Sequence, residues 1–105
     1  MFTHFNNVKP TQILPGFSAR FIHTQSQTLS LVEVEKGASL PSHSHYHEQI
    51  SQVLEGEFEL TINGTSKICR SGDIAIIRSN VKHSGKALTS CKILDIFTPV
   101  REDYK

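Results

Sequence analysis

Between Glu57 and Cys69 the chain reads EFELTI, then Asn63-Gly64, then TSKIC. Polar and apolar residues alternate through the first run, the period of a strand with one face covered. Asn-Gly is the pair that accepts positive φ at both central positions of a type I′ hairpin turn. This stretch is therefore committed to an antiparallel pair, and the rest of the chain has to be compatible with it. No segment places apolar residues at helical spacing over a helical length. Short runs of strand character recur instead: Ala19–His23, Thr28–Glu35, Ile50–Leu54, Ile74–Ile77 and Lys92–Phe97. Lys36-Gly37, Glu55-Gly56 and Ser71-Gly72-Asp73 read as the turns between them, while Asn80 and Ser84-Gly85 surround His83 with loop chemistry. This pattern predicts an all-β sandwich or barrel.

At 105 residues the chain is expected to form one domain around one core. Residues 1–16, punctuated by Pro10, Pro15 and Gly16, read as a lead-in; the barrel is expected over about 17–98, and 99–105 as a tail opening on Pro99. Eleven basic against ten acidic residues, with no run of one sign, leave no footprint for nucleic acid. No apolar stretch approaches the length of a membrane span. The opening MFTHFNNVKP lacks the basic-then-apolar layout of a secretory signal, so a cytoplasmic location is expected. Cys69 and Cys91 are too few and too far apart to form a disulfide framework, and read as small buried hydrophobes.

Half of the six histidines lie in PSHSHYHEQ, from Pro41 to Gln49. Pro41 argues against a helix there. On a strand, His43 and His45 would share a face about 6–7 Å apart along the backbone. Two imidazoles so placed can converge on one metal ion. Gln49 and His47 have the same parity, so spacing alone excludes neither, whereas Glu48 has the opposite one.

The stretch from Gly37 to Gly56 resembles the first signature of the cupin family, with Gly37, His43, His45 and Gly56 at its fixed positions. The acidic ligand position falls on Gln49, or with the longer permitted gap on Ile50, which has no ligand atom. GDIAIIRSNVKH, from Gly72 to His83, resembles the second signature, with Arg78 in place of the usual proline and Asn80 in place of the usual glycine. The resemblance implies a single double-stranded β-helix (jelly-roll) barrel. It also implies one divalent metal ion on His43, His45, Gln49 and His83, with His47 outside the set and at an exposed rim. Three imidazoles and an amide oxygen suit zinc, nickel, iron or manganese. Glutamine in place of glutamate leaves the ion's charge undiminished, which favours an anionic ligand.

Near the C-terminus, Cys91, Ile93, Asp95 and Phe97 share one parity. An acid in an apolar row is costly unless it is paired or used. The opposite parity, Lys92, Leu94, Ile96 and Thr98, is apolar enough to be covered by a second copy, so a homodimer is expected. Arg101 is the natural partner for a carboxylate; Arg20 and Arg78 are weaker candidates, and Tyr104 either closes the barrel mouth or packs at its end. The runs PSHSHYHEQISQVLEGEFELTINGTSK, HSGKALTSCKILDIF and TPVREDY are similar to a small group of cupins from pectin degradation. These open the ring of 4,5-unsaturated uronates. That resemblance implies functional roles for Asp95, Phe97 and Arg101 and a metal-dependent conversion of the cyclic sugar to its linear 5-keto form. The alternatives are a dioxygenase or sugar isomerase on the same site, or a non-catalytic cupin that binds a sugar or a metal.

Overall fold

The computed structural model describes residues 1–105, which run through ten strands. They are β1 (Thr11–Leu14), β2 (Phe17–His23), β3 (Thr28–Val34), β4 (Ser39–His43), β5 (Glu48–Glu55), β6 (Phe58–Ile62), β7 (Thr65–Cys69), β8 (Ile74–Ile77), β9 (His83–Ala87) and β10 (Cys91–Thr98). Single 3-10 turns, Phe5–Asn7 and Glu102–Tyr104, lie near the two ends. All pairings are antiparallel and fall in two sheets, β1-β2-β3-β10-β5-β8 and β4-β9-β6-β7. This is the jelly-roll arrangement expected from the sequence. No helix is long and apolar enough to cross a membrane.

The turn chemistry behaves as its residues require. Asn63 and Gly64 take φ of 47° and 82° in the β6–β7 hairpin, and Asn80 takes φ of 65° where a glycine would be at ease. Gly56 combines φ of 86° with a close approach: a Cβ there would stand 2.1 Å from the Ser90 carbonyl oxygen.

The two sheets enclose one core, to which the larger contributes Phe17, Val32, Val53, Ile77 and Ile93 and the smaller Phe58, Leu60 and Ala87. Burying side chains of this size is worth about 1.5–3 kcal/mol each. Along the larger sheet the inward residues form rows whose character changes from one end to the other. One row, Ala19–Val32–Ile93–Val53, is wholly apolar. The next is Phe21–Ser30–Asp95–Ser51–Ala75, and the last is His23–Thr28–Phe97–Gln49–Ile77. The polar end of the barrel is therefore written into strands that also build its apolar core. Asp95 is the third inward residue of β10, one row past the oily layer, and the serines on either side meet it in register.

Two strands depart from the sequence reading. β1 lies within the stretch that carries little pattern, pairing with the edge of β2. β9 lies in HSGKA, where loop chemistry is expected. It is strand because it fits between β4 and β6, and Gly85 is there because a Cβ would stand 2.3 Å from the Phe58 ring.

Candidate functional site

His43, His45 and His83 come together, one nitrogen from each lying within 4.8 Å of the others. Their route to that position differs from the one strand parity suggests. His43 ends β4 in the smaller sheet, where it pairs directly with His83 of β9. His45 lies in the connection that carries the chain across to the larger sheet, and Gln49 is on β5 after the crossing. A single strand parity cannot hold through a change of sheet, so the histidines meet around the barrel mouth and not along one strand.

The hydrogen bonds fix how each ring is presented. Nδ1 of His43 lies 2.9 Å from the Pro41 carbonyl oxygen, Nδ1 of His45 lies 3.0 Å from that of His47, and Nδ1 of His83 lies 3.0 Å from that of Val81. A carbonyl only accepts, so each Nδ1 carries the ring hydrogen and each Nε2 is left with a lone pair. Metal-binding histidines are oriented in this way by their outer partners. Nε2 of His83 is buried without a partner. Nε2 of His45 faces Oε1 of Gln49 at 3.2 Å, acceptor against acceptor. A cation among these atoms satisfies all of them, so the residues present fit a divalent ion. Burial, with the charges of Arg101 and His83, pushes the His45 pKa down to about 4, and burial likewise lowers that of His83. Both rings are therefore neutral near pH 7, the form that binds metal.

His47 is not at an exposed rim. It is 5% exposed, stacked on Tyr46 with ring centres 4.0 Å apart, and neither of its nitrogens is in hydrogen-bond geometry with a partner. The crossing between sheets turns its ring inward beneath the C-terminal segment. It stays outside the histidine cluster, to which it contributes its carbonyl oxygen. Glu48 is exposed and takes no part.

Gln49 donates from Nε2 to Oδ1 of Asp95 at 3.0 Å. Burial raises the Asp95 pKa, while the Ser51 hydroxyl, the Gln49 amide and the Arg101 charge pull it back. The pocket bounded by His43, His45, Gln49, His83, Asp95, Phe97, Arg101 and Tyr104 has a volume of about 70 Å³. The four expected metal ligands line it, as do Asp95, Phe97 and Arg101. A larger groove of about 510 Å³ lies toward the other end of the barrel, walled by Glu33, Glu35 and Glu55 against the single cation Lys92, and no histidine faces it.

Arg101 is paired, though not with Asp95. Its guanidinium binds Asp103, two residues on, through two hydrogen bonds. Tyr104 packs at the mouth, stacked on Phe21. Arg20 is structural, its Nη1 donating to the carbonyl oxygens of Phe5 and Val8, and Arg78 is exposed. Asp103 and Ser51 are the pocket's supporting residues that the sequence reading missed. Ser51 was detectable as the neighbour of Asp95 only once the β5–β10 register was known, and Asp103 by its place beside Arg101.

Residues 30–97 match the family model described as the cupin domain. The pectin degradation protein KdgF of Dickeya dadantii (strain 3937) is 37% identical over 89 residues, covering 81% of each chain. Among solved structures, KdgF from Halomonas sp. superposes with a TM-score of 0.93 at 26% identity, over 100% of this chain and 98% of that one. An RmlC-like cupin from Shewanella frigidimarina NCIMB 400 gives a TM-score of 0.93 at 28% identity, over 99% and 95%. The chain thus belongs to the cupin family, in the group that includes the pectin degradation protein KdgF.

Proposed function

We propose that this protein opens the ring of 4,5-unsaturated uronates in pectin breakdown, with a divalent metal ion held by His43, His45, Gln49 and His83. The observation that carries this reading is one small pocket joining a three-histidine cluster, a half-buried acid and a buried arginine, in a relative of a pectin degradation protein. When bound, such an ion supplies Lewis-acid stabilisation of negative charge developing on oxygen.

The remaining chemistry falls to the chain's own groups. Asp95 takes the proton of the anomeric hydroxyl as the ring C–O bond breaks, which leaves an aldehyde and an enolate. Protonation of C4 then gives the ketone. Burial, which raises the pKa of this carboxyl, makes it a better proton acceptor than an exposed aspartate. Arg101 holds the sugar carboxylate, and Phe97 forms the wall beneath it. Asp95→Asn in metal-loaded protein tests the assignment: turnover should fall by about two to four orders of magnitude with metal content unchanged. A folded, metal-loaded variant at full rate would remove Asp95 from the mechanism.

The same reading has the protein acting as a homodimer in the cytoplasm. Its support is the outer face of the larger sheet, where Ile22, Leu29, Ile96, Ile50 and Ile76 form one apolar row across five strands. Ile74 and Ile76 at its edge are 60% and 63% exposed. A contiguous face of this kind is characteristic of an interface. Light scattering that gives a monomer at every concentration would end the dimer assignment.

A further inference from the structure

Arg101 is fixed from every side. Nε and Nη2 donate to Oδ1 and Oδ2 of Asp103 at 2.9 and 2.7 Å. The guanidinium carbon lies 4.7 Å from the centre of the Phe97 ring and 4.1 Å from that of Tyr104. Tyr104 is itself stacked on Phe21, with ring centres 4.5 Å apart. The Arg101 backbone N–H donates to Oγ1 of the fully buried Thr28 at 2.8 Å. The Arg101 side chain is consequently 9% exposed while that of Asp103 is 58% exposed. Asp103 thus reaches in from the surface to hold a buried cation that faces the histidine pocket.

Guanidinium geometry gives this arrangement a consequence. The group carries five N–H donors in a plane. Asp103 occupies the side edge, made of Nε–H and one Nη2–H. The end edge, made of Nη1–H and the other Nη2–H, is a second fork able to take another carboxylate. An arginine side chain left to itself samples many rotamers, and either edge can then face a ligand.

We propose that Asp103 is a positioning residue: by occupying the side edge of Arg101 it turns the end fork toward the histidine pocket, and so makes the pocket select ligands bearing a carboxylate. The inference rests on the anionic-sugar reading of the site given above and adds to it the residue that sets selectivity. Phe97 and Tyr104, whose ring planes stand 76° apart, pack against the guanidinium from two directions, and the two hydrogen bonds to Asp103 fix which of its edges is left open. Asp103 touches no ligand and acts only through Arg101.

The test measures binding by zinc-loaded protein of galacturonate and of its methyl ester, which lacks the charge. Calorimetry is run on the wild type, Asp103→Asn, Asp103→Ala, Arg101→Ala and the Arg101→Ala/Asp103→Ala double variant. Asp103→Ala should weaken galacturonate by about tenfold and the ester by less than about twofold, with zinc content retained. Asp103→Asn, which keeps one acceptor, should fall between the wild type and Asp103→Ala. In the Arg101→Ala background the Asp103 change should have no further effect, since its only route is gone. Equal weakening of acid and ester, an undiminished effect without Arg101, or no effect at all would overturn the proposal. So would a wild type that does not prefer the acid. Ring opening is not part of this readout: selective binding of the acid without turnover leaves Asp103 in its role and removes the catalytic reading instead.

Discussion

Gln49 joins the two halves of the pocket, its Nε2 donating to Oδ1 of Asp95 at 3.0 Å while its Oε1 stands 3.2 Å from Nε2 of His45. An amide can do this because its two ends differ: oxygen toward the histidines and N–H toward the acid. The departure from the family's usual glutamate has a physical reason here. A glutamate would set a second carboxylate against Asp95, and two carboxylates at that range cannot both stay ionised. Gln49→Glu should therefore keep the metal, or hold it more tightly, while turnover falls by about one to two orders of magnitude. Metal analysis beside steady-state rates checks this, and a variant as fast as the wild type would show that the amide has no special place.

The histidine cluster makes a sharper demand. His45→Ala and His83→Ala should each lose the bound ion, whereas His47→Ala should retain one equivalent. The ring of His47 stands outside the cluster, and its contribution to His45 is a backbone carbonyl that alanine also has. Elemental analysis after dialysis decides the matter. Full metal in both of the first two variants would mean the ligand set is wrong.

Asp103 also gives the fold a pH dependence of known sign. The bidentate bond to Arg101 holds its carboxyl below the ordinary carboxylate range. A group whose folded pKa is depressed contributes stability that is present above its unfolded value, near 3.8, and is lost as pH falls through the lower folded value. The gap in urea midpoint between wild type and Asp103→Asn should accordingly be constant above pH about 5 and close as pH drops below about 4. A gap that widens on acidification would contradict the sign. The effect should be modest, because this carboxylate is 58% exposed and screened by water.

Much of the barrel was legible because its turns and alternation are local properties. Asn63-Gly64 takes the positive φ its residues announce, and EFELTI alternates as a half-covered strand does. The three-histidine cluster was legible through two spaced signatures, although the strand-parity argument behind it was not how the chain does it. The connection from β4 to β5 changes sheets, and that is a tertiary fact with no local mark. The same crossing buries His47, which from its neighbours alone looks like a surface residue. β9 was hidden because HSGKA has poor strand composition and is held by partners on both sides. The protein partner of Arg101 was not legible: the sequence marked it only as a natural partner for a carboxylate, and the one it holds lies in the tail, brought round by the 3-10 turn at Glu102–Tyr104.

The proposed opening of unsaturated uronates by the metal-loaded pocket can be measured directly. Its most direct test follows the ultraviolet absorbance of the conjugated double bond when a 4,5-unsaturated uronate is mixed with protein carrying one equivalent of divalent metal. The account predicts that the absorbance is lost faster than the spontaneous rate, without uptake of oxygen, and that chelation stops this and added metal restores it. An absorbance decay no faster than the protein-free control, with the metal shown to be in place, would contradict it.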